Sequence, residues 1–111
     1  MNVLFLVLDG LPVRRVGRRL TPALAGLAAG GGWAPMGGVA TMPSCTYPNH
    51  ATFVTGTAPD SHGIHANHVV VDGRVRAAAD VAPRGPTLFD ACRDGGRSTL
   101  AVLGDHNLVA V

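Results

Sequence analysis

The 111-residue chain is one small domain's worth of sequence, or part of a larger domain, and has no room for two independent cores. Hydrophobic residues make up 47% and charged residues 14%, which excludes a disordered polyelectrolyte, and no apolar run approaches the ~18–20 residues of a membrane span. The nine cations are all Arg and the seven anions all Asp, and the net charge of +2 is too small to mark a binder of nucleic acid or of an anionic membrane.

In chain order, Asn2 to Leu8 (NVLFLVL) is a continuous apolar run of the kind that forms a strand buried on both faces of a parallel sheet, and Asp9-Gly10 stops it. The run is short, lacks a basic region before it and has no small-residue cleavage site after it, so it reads as a strand and not as a signal peptide. That reading favours a cytoplasmic location. Arg14, Arg15, Arg18 and Arg19 cluster next, more simply a solvated face than a device for steering anionic substrates. Thr21-Pro22 has the form of an N-cap followed by Pro at the first helical position. Leu24, Leu27 and Ala28 supply one apolar face, and Gly30-Gly31-Gly32 ends the helix. Trp33 to Thr41 is a weaker strand, interrupted by Pro35, Gly37 and Gly38.

After the polar segment Pro43 to Tyr47, Pro48 is expected to open a short helix that carries Ala51, Val54 and Thr55 and closes at Gly56, before a turn-rich stretch from Ala58 to Gly63. His68 to Val71 and Arg74 to Arg76 read as a hairpin, because Asp72-Gly73 supplies the positive φ angles of a type I′ turn. Pro86 to Cys92 reads as a helix stopped at Gly95-Gly96, and Ser98 to Leu103 as another buried strand. Strands alternating with helices give an α/β fold with a mostly parallel sheet and flanking helices. Such a sheet needs both faces covered, so the expected architecture is incomplete, the N-terminal part of a larger domain. Cys45 and Cys92 are too few for a disulfide framework and read as free thiols.

Two residues carry candidate chemistry. Asp9 stands at the carboxyl end of the first strand, where open α/β sheets place their ligand crevices; it is either a metal ligand or a turn-capping residue paired with Gly10. Thr46 stands just before the Pro48 helix, so amide donors and a positive dipole end face any anion beside it, a setting suited to attack on phosphorus. An alcohol is a weak nucleophile at neutral pH, and metal coordination is the most economical way to activate it; the competing role for Thr46 is a helix cap.

Five segments in order, Phe5-Leu6-Val7-Leu8-Asp9-Gly10, Thr21-Pro22-Ala23-Leu24-Ala25-Gly26-Leu27, Met42-Pro43-Ser44-Cys45-Thr46-Tyr47-Pro48-Asn49-His50, Val54-Thr55-Gly56 and Pro59-Asp60-Ser61-His62-Gly63-Ile64, resemble the type I phosphodiesterase/nucleotide pyrophosphatase branch of the alkaline phosphatase superfamily. The resemblance covers the chain to about Asn67. It implies that residues 1–111 are the N-terminal part of a single alkaline phosphatase-like catalytic domain, a zinc-dependent hydrolase of small phosphate esters or pyrophosphates, with no nucleic-acid polymer as partner. It further implies two Zn²⁺ ions, with Asp9 a ligand to one, Thr46 the nucleophile and a ligand to that same ion, and Asn67 the holder of a phosphoryl oxygen. Chemistry would then run through a phospho-threonine intermediate.

His50, His62, His65 and His68 look like a metal cluster, but the family's histidine ligands come from later segments, and the residues matching His50 and His62 support the loop. Asp105-His106 reads as a post-strand loop, since the family's own Asp-His pair lies much farther along. The remaining ligands are absent up to Val111, and Asp9 with Thr46 falls short of the about three protein ligands a catalytic zinc needs, so the 111 residues alone are expected to be inactive. A phosphonate hydrolase of the same superfamily and a non-catalytic remnant are the alternatives. A sulfatase is disfavoured, because Cys45-Thr46-Tyr47-Pro48-Asn49 has its Pro one position late and no Arg.

Overall fold

The computed structural model describes residues 3–105 and residue 108, and the chain divides into two units, Met1–Val39 and Ala40–Val111. In the first unit, residues 3–8 lead into a tight turn in which the Leu11 N–H donates to the Leu8 carbonyl at 3.2 Å. Gly10 makes that turn possible at φ +73°, a conformation that disfavours any residue with a Cβ. A single 3-10 turn, Val13–Arg15, follows. Helix α1 spans Pro22–Gly30: Ala and Leu are strong helix formers, Pro22 sits at the first position, and the chain becomes extended at Gly31. Thr21 does precede the helix, but its hydroxyl turns backwards to accept the Gly17 N–H at 2.9 Å instead of capping the first turn.

The second unit holds helices α2 (Thr46–Thr55), α3 (Pro59–His62) and α4 (Leu88–Asp94), strands β1 (His68–Val71) and β2 (Arg74–Ala77), and a 3-10 turn at Ala78–Asp80. The core is small: Ala51 from α2, Ile64 after α3 and Ala78 after β2 are buried against one another, with Tyr47 and Val81 packed beside them. Helix α2 begins two residues before Pro48, which therefore occupies the third helical position. Pro is tolerated there because the first-turn amides have no intrahelical acceptor anyway. Gly56 ends α2 at φ +67°, its N–H returning to the Thr52 carbonyl. The expected turn-rich stretch contains one full helical turn, α3, started by Pro59 and stopped by Gly63 at φ +82°.

β1 and β2 pair antiparallel with Val70 opposite Val75, and the connecting Asp72 and Gly73 both have positive φ, 50° and 72°, as a type I′ turn requires. Helix α4 begins at Leu88, two residues later than the sequence suggests, because Thr87 makes a capping box with Asp90: the Asp90 N–H donates to the Thr87 hydroxyl at 3.2 Å and the Thr87 N–H to the Asp90 carboxylate at 2.9 Å.

The mostly parallel sheet is not shown among the described residues. Among the described residues the one sheet is the β1–β2 hairpin, and the segments expected as strands, at 3–8, 33–41 and 98–103, join no sheet. Asn2, the first residue of the first expected strand, lies outside the described residues. Most apolar side chains of the outer two segments are exposed, 85% for Leu4 and 88% for Val102. A strand is held by hydrogen bonds to a neighbour, and a parallel one also needs both faces covered; among the described residues neither segment pairs with a strand. Among the described residues no helix is long and apolar enough to cross a membrane.

Candidate active site

The site is built around the start of α2. Cys45 is the N-cap residue, in extended conformation with no side-chain cap bond, and Thr46 is the first residue of the helix. The hydroxyl expected to stand just before the helix thus lies within its first turn, and the capping position belongs to Cys45. Thr46 is half-buried, at the positive end of a ten-residue helix.

What fixes the segment before Thr46 is Asn49. Its Oδ1 accepts from the Thr41 N–H at 3.0 Å and the Thr41 hydroxyl at 3.1 Å, and its Nδ2 donates to the carbonyls of Cys45 at 3.0 Å, Pro43 at 3.2 Å and Thr41 at 3.4 Å. One carboxamide therefore ties residues 41–45 to the helix they enter. Its role is missing from the sequence reading, although one signal for it exists. Asn is a poor helix-interior residue whose side chain competes for backbone groups, so an Asn one residue after a helix-opening Pro marks a backbone clamp.

On the other side of Thr46, the Tyr47 N–H donates to Asn67 Oδ1 at 3.3 Å. Asn67 is thereby bonded to the residue that follows Thr46. The Asn67 carbonyl also accepts the Ala78 N–H at 2.9 Å, which closes the base of the β1–β2 hairpin and holds Asn67 at its neck. The Tyr47 hydroxyl donates to Asp105 Oδ2 at 3.1 Å, so Asp105 reaches the same helix start; His106 lies outside the described residues.

The histidines at this end are structural. His50 Nδ1 bonds the Thr46 carbonyl at 2.8 Å within the helix, and its ring meets Phe53 edge-on at 5.8 Å. His62 is buried. The Ile64 N–H donates to its Nδ1 at 3.1 Å, which leaves the ring proton on Nε2, 3.1 Å from the Thr52 hydroxyl. Burial holds its pKa below the usual 6.5, the charges of His65 and Arg84 push the same way, and a backbone bond at Pro48 opposes them. Both nitrogens of a neutral, bonded imidazole are committed, so His62 is no metal ligand in this arrangement. In α4, the Thr87 backbone and hydroxyl bonds, with Arg93 at 2.7 Å, hold the Asp90 carboxyl down at about 2.

Asp9 belongs to the first unit, exposed in the Leu8–Leu11 turn with Gly10, the geometry of the turn reading. A shallow depression of 540 Å³ in that unit is lined by Gly10, Leu11, Arg14, Arg15 and Thr21; neither Asp9, Thr46 nor Asn67 lines it. Among the described residues no three His, Cys, Asp or Glu side chains converge as a metal site. Both cysteines are free thiols.

The start of α2 thus brings together the half-buried Thr46 at the helix N-terminus and Asn67, bonded to the next residue, Tyr47. The model of the type I phosphodiesterase/nucleotide pyrophosphatase family matches residues 3–107, and the chain belongs to that alkaline phosphatase-like family. An uncharacterized pyrophosphatase/phosphodiesterase of Schizosaccharomyces pombe is 41% identical over 67 residues, 60% of this chain and 14% of that protein. An ectonucleotide pyrophosphatase/phosphodiesterase of Caenorhabditis elegans is 59% identical over 29 residues, 26% of this chain and 4% of that protein. The chain thus spans a small part of the length of the curated relatives it matches. No solved structure matches it significantly.

Proposed function

We propose that the complete gene product is a zinc-dependent phosphoryl-transfer hydrolase of small phosphodiesters or pyrophosphates, with Thr46 as nucleophile, Asn67 as phosphoryl-oxygen donor and Asp9 and Thr46 as ligands to one of two Zn²⁺ ions. The observation that supports this reading is the Tyr47 N–H to Asn67 Oδ1 bond, which ties Asn67 to the residue after Thr46 at the start of α2. Thr46 and Asp9 each carry an oxygen donor of a kind zinc accepts, and they would hold it together with further ligands. When bound, zinc supplies Lewis acidity that lowers the pKa of a coordinated alcohol and offsets charge on the transferring group.

The chain's own residues do the rest. Thr46 gives up its hydroxyl proton to solvent and its Oγ bonds to phosphorus as the leaving alkoxide or phosphate departs; water then adds to phosphorus, breaks the phospho-threonine ester bond and returns a proton to the Thr46 oxygen. The Asn67 Nδ2 donor and the dipole of α2 meet the negative charge spread over the non-bridging oxygens. Asn49 keeps residues 41–45 from drifting, so that Thr46 is presented in one geometry. In the complete gene product, Thr46→Ala is expected to abolish turnover of bis(4-nitrophenyl) phosphate while zinc content stays near that of the parent. Undiminished turnover by that variant overturns the assignment.

A further inference from the structure

The Tyr47–Asp105 bond joins residues 58 positions apart, at the very helix start where the proposed chemistry takes place, and nothing in the mechanism above uses it. We propose that Asp105 is a positioning residue that acts through Tyr47 on Asn67 and Thr46, an inference that rests on the phosphoryl-transfer reading of this site.

Tyr47 is tied at three points. Its ring lies against the buried Ala51, Ile64 and Ala78, its backbone N–H is given to Asn67 Oδ1 at 3.3 Å, and its hydroxyl is given to Asp105 Oδ2 at 3.1 Å. It follows Thr46 directly and precedes the buried Pro48, so any swing of the Tyr47 backbone turns both the Thr46 hydroxyl and the carboxamide that reads the Tyr47 N–H. A phenol donating to a carboxylate makes a charge-assisted bond, stronger than a neutral one, in a half-buried setting. Asp105 thus fixes the outer end of a lever whose inner end carries the nucleophile and the phosphoryl-oxygen donor. The group acts on geometry and does not itself touch substrate.

The test uses the complete gene product and bis(4-nitrophenyl) phosphate, comparing the parent with Tyr47→Phe, Asp105→Ala, Asp105→Asn, Asn67→Ala and the double variant Asp105→Ala/Asn67→Ala. Tyr47→Phe removes one oxygen and keeps the packed ring, so it folds even if the Asp105 variants suffer. Both Tyr47→Phe and Asp105→Ala are expected to lower kcat about tenfold with KM changed less than about twofold, and Asp105→Asn, which keeps an acceptor oxygen, to recover most of the loss. In the Asn67→Ala background, Asp105→Ala is expected to cost little more, because the two act through one linkage. A purely structural Asp105 would lower the melting temperature and leave kcat unchanged, or give additive losses with Asn67→Ala; either result overturns the proposal. Thr46→Ala is the control for the reading beneath it. If the parent shows no turnover, or Thr46→Ala matches the parent, the phosphoryl-transfer assignment fails and this inference fails with it, whereas an active parent with a dead Thr46→Ala and an unaltered Tyr47→Phe defeats the inference alone.

Discussion

At residue scale, the candidate site is a set of side chains that each fix the backbone of a neighbour. Asn49 is the densest case, with five hydrogen bonds to residues 41–45 from one carboxamide. Asn49→Ala strands several of those backbone groups and frees the approach to Thr46. We expect it to lower the stability of the complete gene product by about 1–3 kcal/mol in denaturant titrations and to cut kcat more than it changes KM. An Asn49→Ala protein with parental kcat would show that the clamp does not set the nucleophile. The expectations for Asp9, Thr46 and Asn67 came from the order of the F-L-V-L-D-G, T-Y-P-N-H and S-H-G-I segments in the sequence. The roles of Asn49, Tyr47 and Asp105 were not, because each acts across space on backbone groups that the spacing of residues does not reveal. Reading Thr46 as a residue just outside the helix failed for a simple reason: Pro fits anywhere in a first turn, so Pro48 marks the start of α2 only to within that turn.

At element scale, the pieces with strong local signals formed as read and those that need partners did not. The Asp72-Gly73 hairpin, the Gly56 stop of α2 and the Ala/Leu-rich α1 are dictated by φ preferences and helix propensity within a few residues. The α2–α3 pair is held together by His62, whose ring spans the Thr52 hydroxyl and the Ile64 amide. Its folded-state pKa lies below 6.5, so the folded form resists the proton that the unfolded chain takes up. Its contribution is therefore whole above about pH 6.5 and is lost as the pH falls below that value. Between pH 7 and pH 5 the stability of the complete gene product is expected to decline, and His62→Asn to be less stable at pH 7 yet flatter over that interval. Equal slopes for parent and variant would assign the acid sensitivity to other groups.

At the scale of the whole molecule, the parallel sheet expected from residues 2–8 and 98–103 is the part that pattern alone could not deliver. A continuous apolar run states that a segment will be buried, not what will bury it, and Leu4, Leu100 and Val102 are all more than four-fifths exposed. Membership of the phosphodiesterase/pyrophosphatase family rests on 3–107 as a whole, while most of the proposed chemistry falls in the short run from Thr41 to Asn67. The central claim is that this run delivers a nucleophilic threonine. It is tested most directly by quenching the complete gene product with acid during turnover of bis(4-nitrophenyl) phosphate and mapping covalent phosphate by peptide mass spectrometry. The account predicts an acid-stable phosphoryl or 4-nitrophenylphosphoryl group on the peptide containing Thr46, absent from Thr46→Ala. Turnover with no label on that peptide, or a label on another residue, would contradict it.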